Sequence, residues 1–248
     1  MKGVERGVGP SSGVPANRGK RVACENLSRG GRPYLQVKHA GVPGGRGDSG
    51  DPTLRVVVEL LAVAAAYLLG SVDFGVIVAR SQGVDIYSVG SGNPGTSNVM
   101  RVLGKKFAAV VLLGDGAKGA LAALLGALLV DPSFGYVTLF AAVLGHAFPI
   151  WHRFKGGKSV AAAIGGIIYL APVVGVVLTV VWVVMLLVTK TASVGSLTVL
   201  VLMVPLLALA GRRGSDLVWA AVISVFVIVR HRSNIVSLLS GSERKVVS

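Results

Sequence analysis

Cysteine, acidic residues and charge in general are scarce in this chain, and each scarcity removes a class of function. One cysteine, Cys24, stands in 248 residues, which excludes an intramolecular disulfide and a cysteine-based metal cluster. Asp and Glu together number 11, and the glutamates Glu5, Glu25, Glu59 and Glu243 are scattered, so a carboxylate-bound metal has no support. Charged residues make up 15% of the chain, against roughly 25% in soluble domains. With 52% hydrophobic residues and a mean hydropathy of +0.71, this is the composition of an integral membrane protein. Signatures of soluble enzymes are missing as well: there is no G-x-S-x-G elbow and no H-E-x-x-H. Five positions after His146 and His152 stand Trp151 and Gly157. Without an aspartate there, the acyltransferase dyad of the soluble type is absent.

What the chain does have is cations. Lys and Arg number 25, for a formal net charge of +14. They sit mostly at the ends of apolar runs, where cytoplasmic-loop bias and attraction to anionic lipid place them. That distribution argues against a nucleic-acid partner. Residues 1–53 differ from the rest. They are rich in Gly, Pro, Ser and Arg, lack apolar periodicity and a signal-peptide core, and carry nine basic against four acidic residues. A disordered basic extension is expected there. It is either a surface-binding tail or, as the favoured reading, a translation start set too far upstream.

A bilayer crossing takes about 20 apolar residues. Residues 54–79 supply the first, closing in GSVDFG (70–75), and 105–129 the second. Asp115 and Lys118 interrupt that second run three apart, on one helix face, and an intramembrane acid and base are functional by default. A structural ion pair is the plainer alternative. Further spans are expected at 134–151, 159–170, 172–189, 193–211 and 215–229, the run from Val160 to Val188 being split near Pro172. The expected fold is therefore all-α, a polytopic integral membrane helical bundle of about seven transmembrane helices over 54–248. Seven crossings put three polar segments on one side: the loop after the first span, the loop after the third, and the C-terminal tail. Arg80, Arg101, Lys105, Lys106, Arg153, Lys155, Lys158, Lys190, Arg230 and Arg232 mark that side as cytoplasmic.

The polar segments carry the chemistry. Residues 83–101, GVDIYSVGSGNPGTSNVMR, form a glycine- and asparagine-rich loop in which Asn93 and Asn98 bracket Pro94-Gly95. Ser91 adds a hydroxyl, and Arg101 closes the loop three residues after Asn98, on the same side of a helical turn. In the second segment, Lys155-Gly156-Gly157-Lys158-Ser159 opens a helix. Glycines there let backbone N–H groups approach an anion at a helix N-terminus, between two lysine point charges. The stretch is half of a phosphate loop. His152 stands where a Walker A motif needs glycine, which argues against ATP hydrolysis. In the tail, His231 lies between Arg230 and Arg232, which favour its neutral form.

Taken in order, GSVDFG, GVDIYSVGSGNPGTSNVMRVLGKK, GDGAKG (114–119), LGHAFPIWHRFKGGKSVA and VRHRSNIVSLLSGSE resemble the bacterial membrane acyl-phosphate:glycerol-3-phosphate acyltransferase family across roughly residues 60–245. The resemblance implies transfer of a fatty acyl group from acyl phosphate to the 1-hydroxyl of glycerol 3-phosphate, yielding lysophosphatidate and phosphate as the first step of phospholipid synthesis. It implies a multi-pass protein of the bacterial inner (plasma) membrane, with its active site on the cytoplasmic side and no cofactor or metal. By position, Ser91, Asn98 and Arg101 bind phosphate oxygens. Lys158 and the amides of Gly156 and Gly157 hold the other phosphate, and His231 with Asn234 completes the site. Asn93, Lys118 and Lys155 extend the phosphate-binding set, and His231, Asn234 and Lys158 form its catalytic part. Which loop holds which phosphate stays open, as does whether the hydroxyl proton passes to His231 or to a substrate phosphate oxygen. The chain departs from the family pattern at six positions: Tyr87 for arginine, Thr96 and Ser97 for the alanine and threonine of GATN, Ser159 for glycine, Ala162 for threonine and Ser237 for arginine. The rival reading is a membrane transporter of a phosphorylated or anionic solute. A third, favoured by the departures alone, is a non-catalytic lipid-binding protein.

Overall fold

Asp51 caps the first helix. Its side chain accepts the Thr53 N–H at 2.9 Å, and Pro52 occupies the first helical position, where its missing N–H costs nothing. The computed structural model describes residues 51–246. Helix α1, Pro52–Gly70, therefore begins inside the stretch expected to be disordered, because cap and proline extend the apolar run outward by two residues. The rest of that extension, residues 1–50 with Cys24, lies outside the described residues.

The expected first span, 54–79, falls within one candidate crossing, Pro52–Ser81, but its helix is interrupted. Ser71-Val72-Asp73 interrupts it, and α2 runs Phe74–Ser81. The break is satisfied internally, as a break in an apolar run must be. The Ser71 hydroxyl donates to the Tyr67 carbonyl at 2.9 Å, the Asp73 carboxylate accepts the Val76 N–H at 3.2 Å, and the Val72 carbonyl accepts from Lys118 Nζ at 2.6 Å. The polar loop that follows is also less irregular than its composition suggests, since α3, Thr96–Leu103, forms within it.

The remaining helices are α4 Lys105–Leu129, α5 Phe134–Ala147, α6 Val160–Leu170, α7 Pro172–Thr189, α8 Ala192–Leu209, α9 Ser215–Arg230 and α10 Arg232–Leu239, with a short 3-10 turn at Ile150–His152. No strand occurs among the described residues. Five helical stretches are long and apolar enough to cross a membrane, or six if α9 and α10, bent by 58°, count together. The expected number of seven is not confirmed. The difference is α6, and α9 as well unless α10 is counted with it: the 11 residues of α6 rise about 17 Å at 1.5 Å each, against a hydrocarbon core of about 30 Å. The split of the long run near Pro172 is as expected.

Helices α4 and α6 cross at very short range through small residues. A Cβ at Gly119 would overlap the Ala162 carbonyl, and one at Gly165 would overlap the Gly116 carbonyl. Around this crossing Tyr136, Leu139, Ile167, Leu178, Leu200, Met203 and Ile223 form the main core. A second cluster of Val76, Ala79, Ile86, Val99, Ala108 and Val111 holds the first polar loop against α2, α3 and α4. At the far end, Arg212 Nη2 donates to the Leu170 carbonyl, and Arg55 lies 3.6 Å from Asp131. At the near end, the Val246 N–H donates to the Lys190 carbonyl at 2.8 Å. The three polar segments meet at this near end.

Candidate active site

Direct hydrogen bonds join those segments. Tyr87 Oη in the first donates to the Lys155 carbonyl in the second at 2.6 Å. Lys158 Nζ in the second donates to Asn234 Oδ1 in the tail, and Arg230 Nη2 donates to the Gly157 carbonyl at 3.3 Å. Between them lies a cavity of about 1030 Å³. Its polar end is walled by Ser91, Asn93, Asn98 and Arg101, by Lys158, and by His231 and Asn234. Its apolar part runs between α4, α6 and α7 along Leu112, Leu113, Ala117, Ile164, Ile168, Trp182 and Val183.

Asn98 builds the first loop. Its Oδ1 accepts the Ser91 N–H at 2.8 Å, and its Nδ2 donates to the Val89 carbonyl at 3.1 Å. Buried to 1% exposure, this side chain spends its amide on loop backbone. Arg101 is a different case. Its Nε and Nη2 donate at 3.2 Å to the carbonyls of Lys245 and Arg244, one fork on two successive carbonyls. Burial lowers the Arg101 pKa and nearby Arg244 adds to that, while Glu243 opposes it. The guanidinium still carries its charge at the cavity wall.

In the second segment the glycines do something other than expected. A Cβ at Gly156 would overlap the His146 carbonyl, and one at Gly157 would overlap the His146 ring. The Gly157 N–H donates to the His146 carbonyl at 3.0 Å. The pair is needed for close packing on the end of α5, and the Gly157 amide is taken. Ser159, next after Lys158, has φ +65°, and its hydroxyl donates to the Val143 carbonyl at 2.8 Å. Lys158 is thus fastened to α5 on both sides. Burial pushes its ammonium below the ordinary lysine range. Glu243 counteracts this, whereas Arg101 and Arg230 add to it. An anion in the cavity favours the charged form.

In the tail, His231 Nδ1 lies 2.8 Å from the Val227 carbonyl. A carbonyl only accepts, so Nδ1 carries the proton and Nε2 of the neutral ring is left with a lone pair. Asn234 Nδ2 donates to Glu243 Oε1 at 2.7 Å, which also accepts from the Ser193 hydroxyl at 2.7 Å. Glu243, Ser193 and Arg244 line the cavity and were absent from the sequence-derived set. Only Glu243 had a signal, its place in the tail motif SGSE; Ser193 sits in an apolar helix that nothing local distinguishes.

Four expected ligands are not on the cavity wall. Lys155 is exposed, Gly156 and Gly157 pack on α5, and Lys118 is buried with its ammonium held by three partners. Lys118 Nζ meets the Val72 carbonyl at 2.6 Å, His146 Nδ1 at 2.7 Å and Asp115 at 2.8 Å. The departures from the family pattern also find places. Tyr87 ties the first loop to the second, with burial and then Asp73 raising its pKa to about 12. Ala162 sits fully buried in the α4–α6 crossing, its backbone against Gly119, and Ser237 lines the cavity.

The sequence profile of a family described as glycerol-3-phosphate acyltransferase matches residues 60–241. A protein named glycerol-3-phosphate acyltransferase from Neisseria meningitidis serogroup C (strain 053442) is 43% identical over 195 residues, covering 76% of this chain and 97% of the relative. One of the same name from Rubrobacter xylanophilus (strain DSM 9941 / JCM 11954 / NBRC 16129 / PRD-1) is 42% identical over 190 residues, covering 76% and 96%. Among solved structures, the crystal structure of PlsY (YgiH), an integral membrane glycerol 3-phosphate acyltransferase in its glycerol 3-phosphate form, superposes with a TM-score of 0.73 at 39% identity, covering 75% of this chain and 94% of that one. Its lysophosphatidic acid form gives a TM-score of 0.71.

Proposed function

This chain belongs to the glycerol-3-phosphate acyltransferase family, and from that premise we propose that it takes its acyl group from an acyl phosphate and places it on the 1-hydroxyl of glycerol 3-phosphate. One observation carries the donor assignment: a single cavity joins a cationic end, at Arg101 and Lys158, to an apolar groove between α4, α6 and α7. An anion with a long apolar tail matches that shape. Two phosphates fit a site with two separate cations, Arg101 on one segment and Lys158 on another. Arg101 is assigned to glycerol 3-phosphate and Lys158 to the donor.

The chemistry asks little of the protein. An acyl phosphate is an activated mixed anhydride, so holding the two anions in register contributes about 7–11 kcal/mol. The glycerol hydroxyl oxygen attacks the acyl carbonyl carbon, a C–O bond forms, and the carbon–phosphate oxygen bond breaks with its electron pair leaving on inorganic phosphate. Lys158 stabilises the charge that develops on that leaving group. The hydroxyl proton passes to His231 Nε2, whose lone pair is left free by the Nδ1 contact to Val227, or to a phosphate oxygen of the substrate. Asn234 orients Lys158, and Glu243 holds Asn234.

The test supplies detergent-purified protein with glycerol 3-phosphate and, in turn, acyl phosphate, acyl-CoA and acyl-carrier protein. Lysophosphatidate and phosphate should form with acyl phosphate alone. Product from either other donor overturns the donor assignment. Solute uptake into sealed vesicles without acyl transfer would favour a transporter.

A further inference from the structure

We propose that Lys118, which lies behind the cavity wall, is a positioning residue for Lys158 and acts on it through His146. The inference rests on the reading of Lys158 as a phosphate ligand. Lys118 is 2% exposed, His146 3% and Asp115 1%. The Lys118 ammonium stands at the junction of three elements: the broken end of α1 through the Val72 carbonyl at 2.6 Å, its own helix through Asp115 at 2.8 Å, and the end of α5 through His146 Nδ1 at 2.7 Å.

An ammonium has no lone pair, so in that last contact His146 Nδ1 accepts and the ring proton is assigned to Nε2. Lysine therefore fixes both the tautomer and the ring plane. The fixed edge faces Gly157: a Cβ placed there would overlap His146 Nε2. The same histidine holds Gly157 through its carbonyl, at 3.0 Å from the Gly157 N–H. Lys158 is the next residue. Beyond it, Ser159 is tied to Val143 of the same helix end at 2.8 Å. A rotation of the His146 ring, or a shift of the last turn of α5, is thereby transmitted to the Lys158 backbone. Asp115 Oδ1 stands farther from the same Nδ1, at 3.5 Å, and is itself held by Lys118 at 2.8 Å. A buried ammonium with three partners on three elements is an expensive way to hold helices together. It is an effective way to set one ring to a fraction of an ångström.

A double-mutant cycle with Lys158 tests this, read as kcat/KM with acyl phosphate and glycerol 3-phosphate, with the unfolding midpoint recorded for every variant. Lys118→Met keeps an unbranched side chain, one atom shorter, and removes the donors. It should lower kcat/KM about 10²-fold, the effect of misplacing a binding group by about 1 Å. Lys158→Ala should lower it about 10²–10³-fold. The double variant should be no worse than Lys158→Ala alone, because a positioning effect vanishes once the positioned group is gone. Lys118→Met strands the Asp115 carboxylate, which can unfold the protein, so the cycle is repeated with Lys118→Met/Asp115→Leu, which removes both charges. Equal losses in the two Lys158 backgrounds would overturn the inference, since a merely structural lysine acts on either alike. Parent-like activity with Met at 118 would also overturn it. Parent-like activity in Lys158→Ala alone would instead overturn the reading of Lys158, and the inference with it.

Discussion

At the scale of single residues, Arg101 shows how a charged side chain is kept ready. Its fork is satisfied by the carbonyls of Arg244 and Lys245 at 3.2 Å, ligands that a phosphate with two anionic oxygens can replace at the same spacing. Lysine would keep the charge and lose the fork. Arg101→Lys should therefore raise the KM for glycerol 3-phosphate by about 10- to 150-fold, the equivalent of one charge-assisted hydrogen bond, and leave the KM for acyl phosphate nearly unchanged. Steady-state kinetics with each substrate varied in turn decides it. A defect confined to acyl phosphate would mean that the two phosphates are exchanged between Arg101 and Lys158. Ser159 allows a test by stability instead. Its φ of +65° costs a non-glycine residue about 1–2 kcal/mol, and its hydroxyl bond to Val143 returns about 1 kcal/mol. Ser159→Gly removes both and should lie within about 1 kcal/mol of the parent. Ser159→Ala keeps the strain and loses the bond, so it should be the less stable of the two by about 1–2 kcal/mol in thermal unfolding.

At the scale of elements, the site depends on how closely α6 approaches α4. Lys158 and Ser159 lead directly into α6, so any displacement of that helix moves them. A Cβ at Gly165 would run into the Gly116 backbone, and backbone gives way only by separating the helices. Gly165→Ala should cost about 1–3 kcal/mol, as overpacking does, and should reduce activity along with it. The partner position is a built-in control. A Cβ at Gly116 would meet the Ala161 carbonyl at 3.8 Å, an ordinary contact, so Gly116→Ala should keep or slightly raise the unfolding midpoint through better helix propensity. Equal losses at both positions would mean that the crossing is not as close as described. The tail is a second dependent element. From α10 it passes over the cavity mouth, held by Glu243 to Ser193, by Arg244 to the Gly90 carbonyl and by Val246 to the Lys190 carbonyl. It closes a ring of contacts through every segment that lines the polar end.

At the scale of the whole molecule, the near and far ends differ in what they carry. The near end holds the cavity with Lys105, Lys106 and Lys158; the far end holds the Gly211-Arg212-Arg213 turn, with Arg212 bonded to the Leu170 carbonyl. The excess of loop cations predicts the near end on the cytoplasmic side. In a Cys24→Ser background, Lys106→Cys and Ser215→Cys place single thiols at exposed positions on opposite ends. A membrane-impermeant maleimide should label the first only in inside-out vesicles and the second only in right-side-out ones. The reverse pattern would turn the molecule over and put the cavity outside.

What the sequence determined by itself is what depends on local chemistry. Apolar runs of the length of 105–129 or 172–189 have to become helices in a membrane, because no water is there to satisfy their backbone, and the proline at 172 breaks the long run where the structure breaks it. The alternation of such runs also brought the segments around Asn98, Lys158 and His231 to one end, and the motif residues themselves pointed to two phosphates. The tertiary structure decided which of these residues face the cavity. Asn98 turned its amide to its own loop, Lys118 turned into the protein, and Gly156 and Gly157 proved to be places where α5 leaves no room for a side chain. It also decided that 54–79 is two helices, since a carbonyl freed at Val72 is stable only with an ammonium from residue 118 beside it. Apart from Asn98, the deciding partner in these cases lies on another segment of the fold. A spacing rule sees only neighbours along a helix or a turn, whereas an ion pair, a close helix crossing or a buried acceptor is settled by what folding carries alongside.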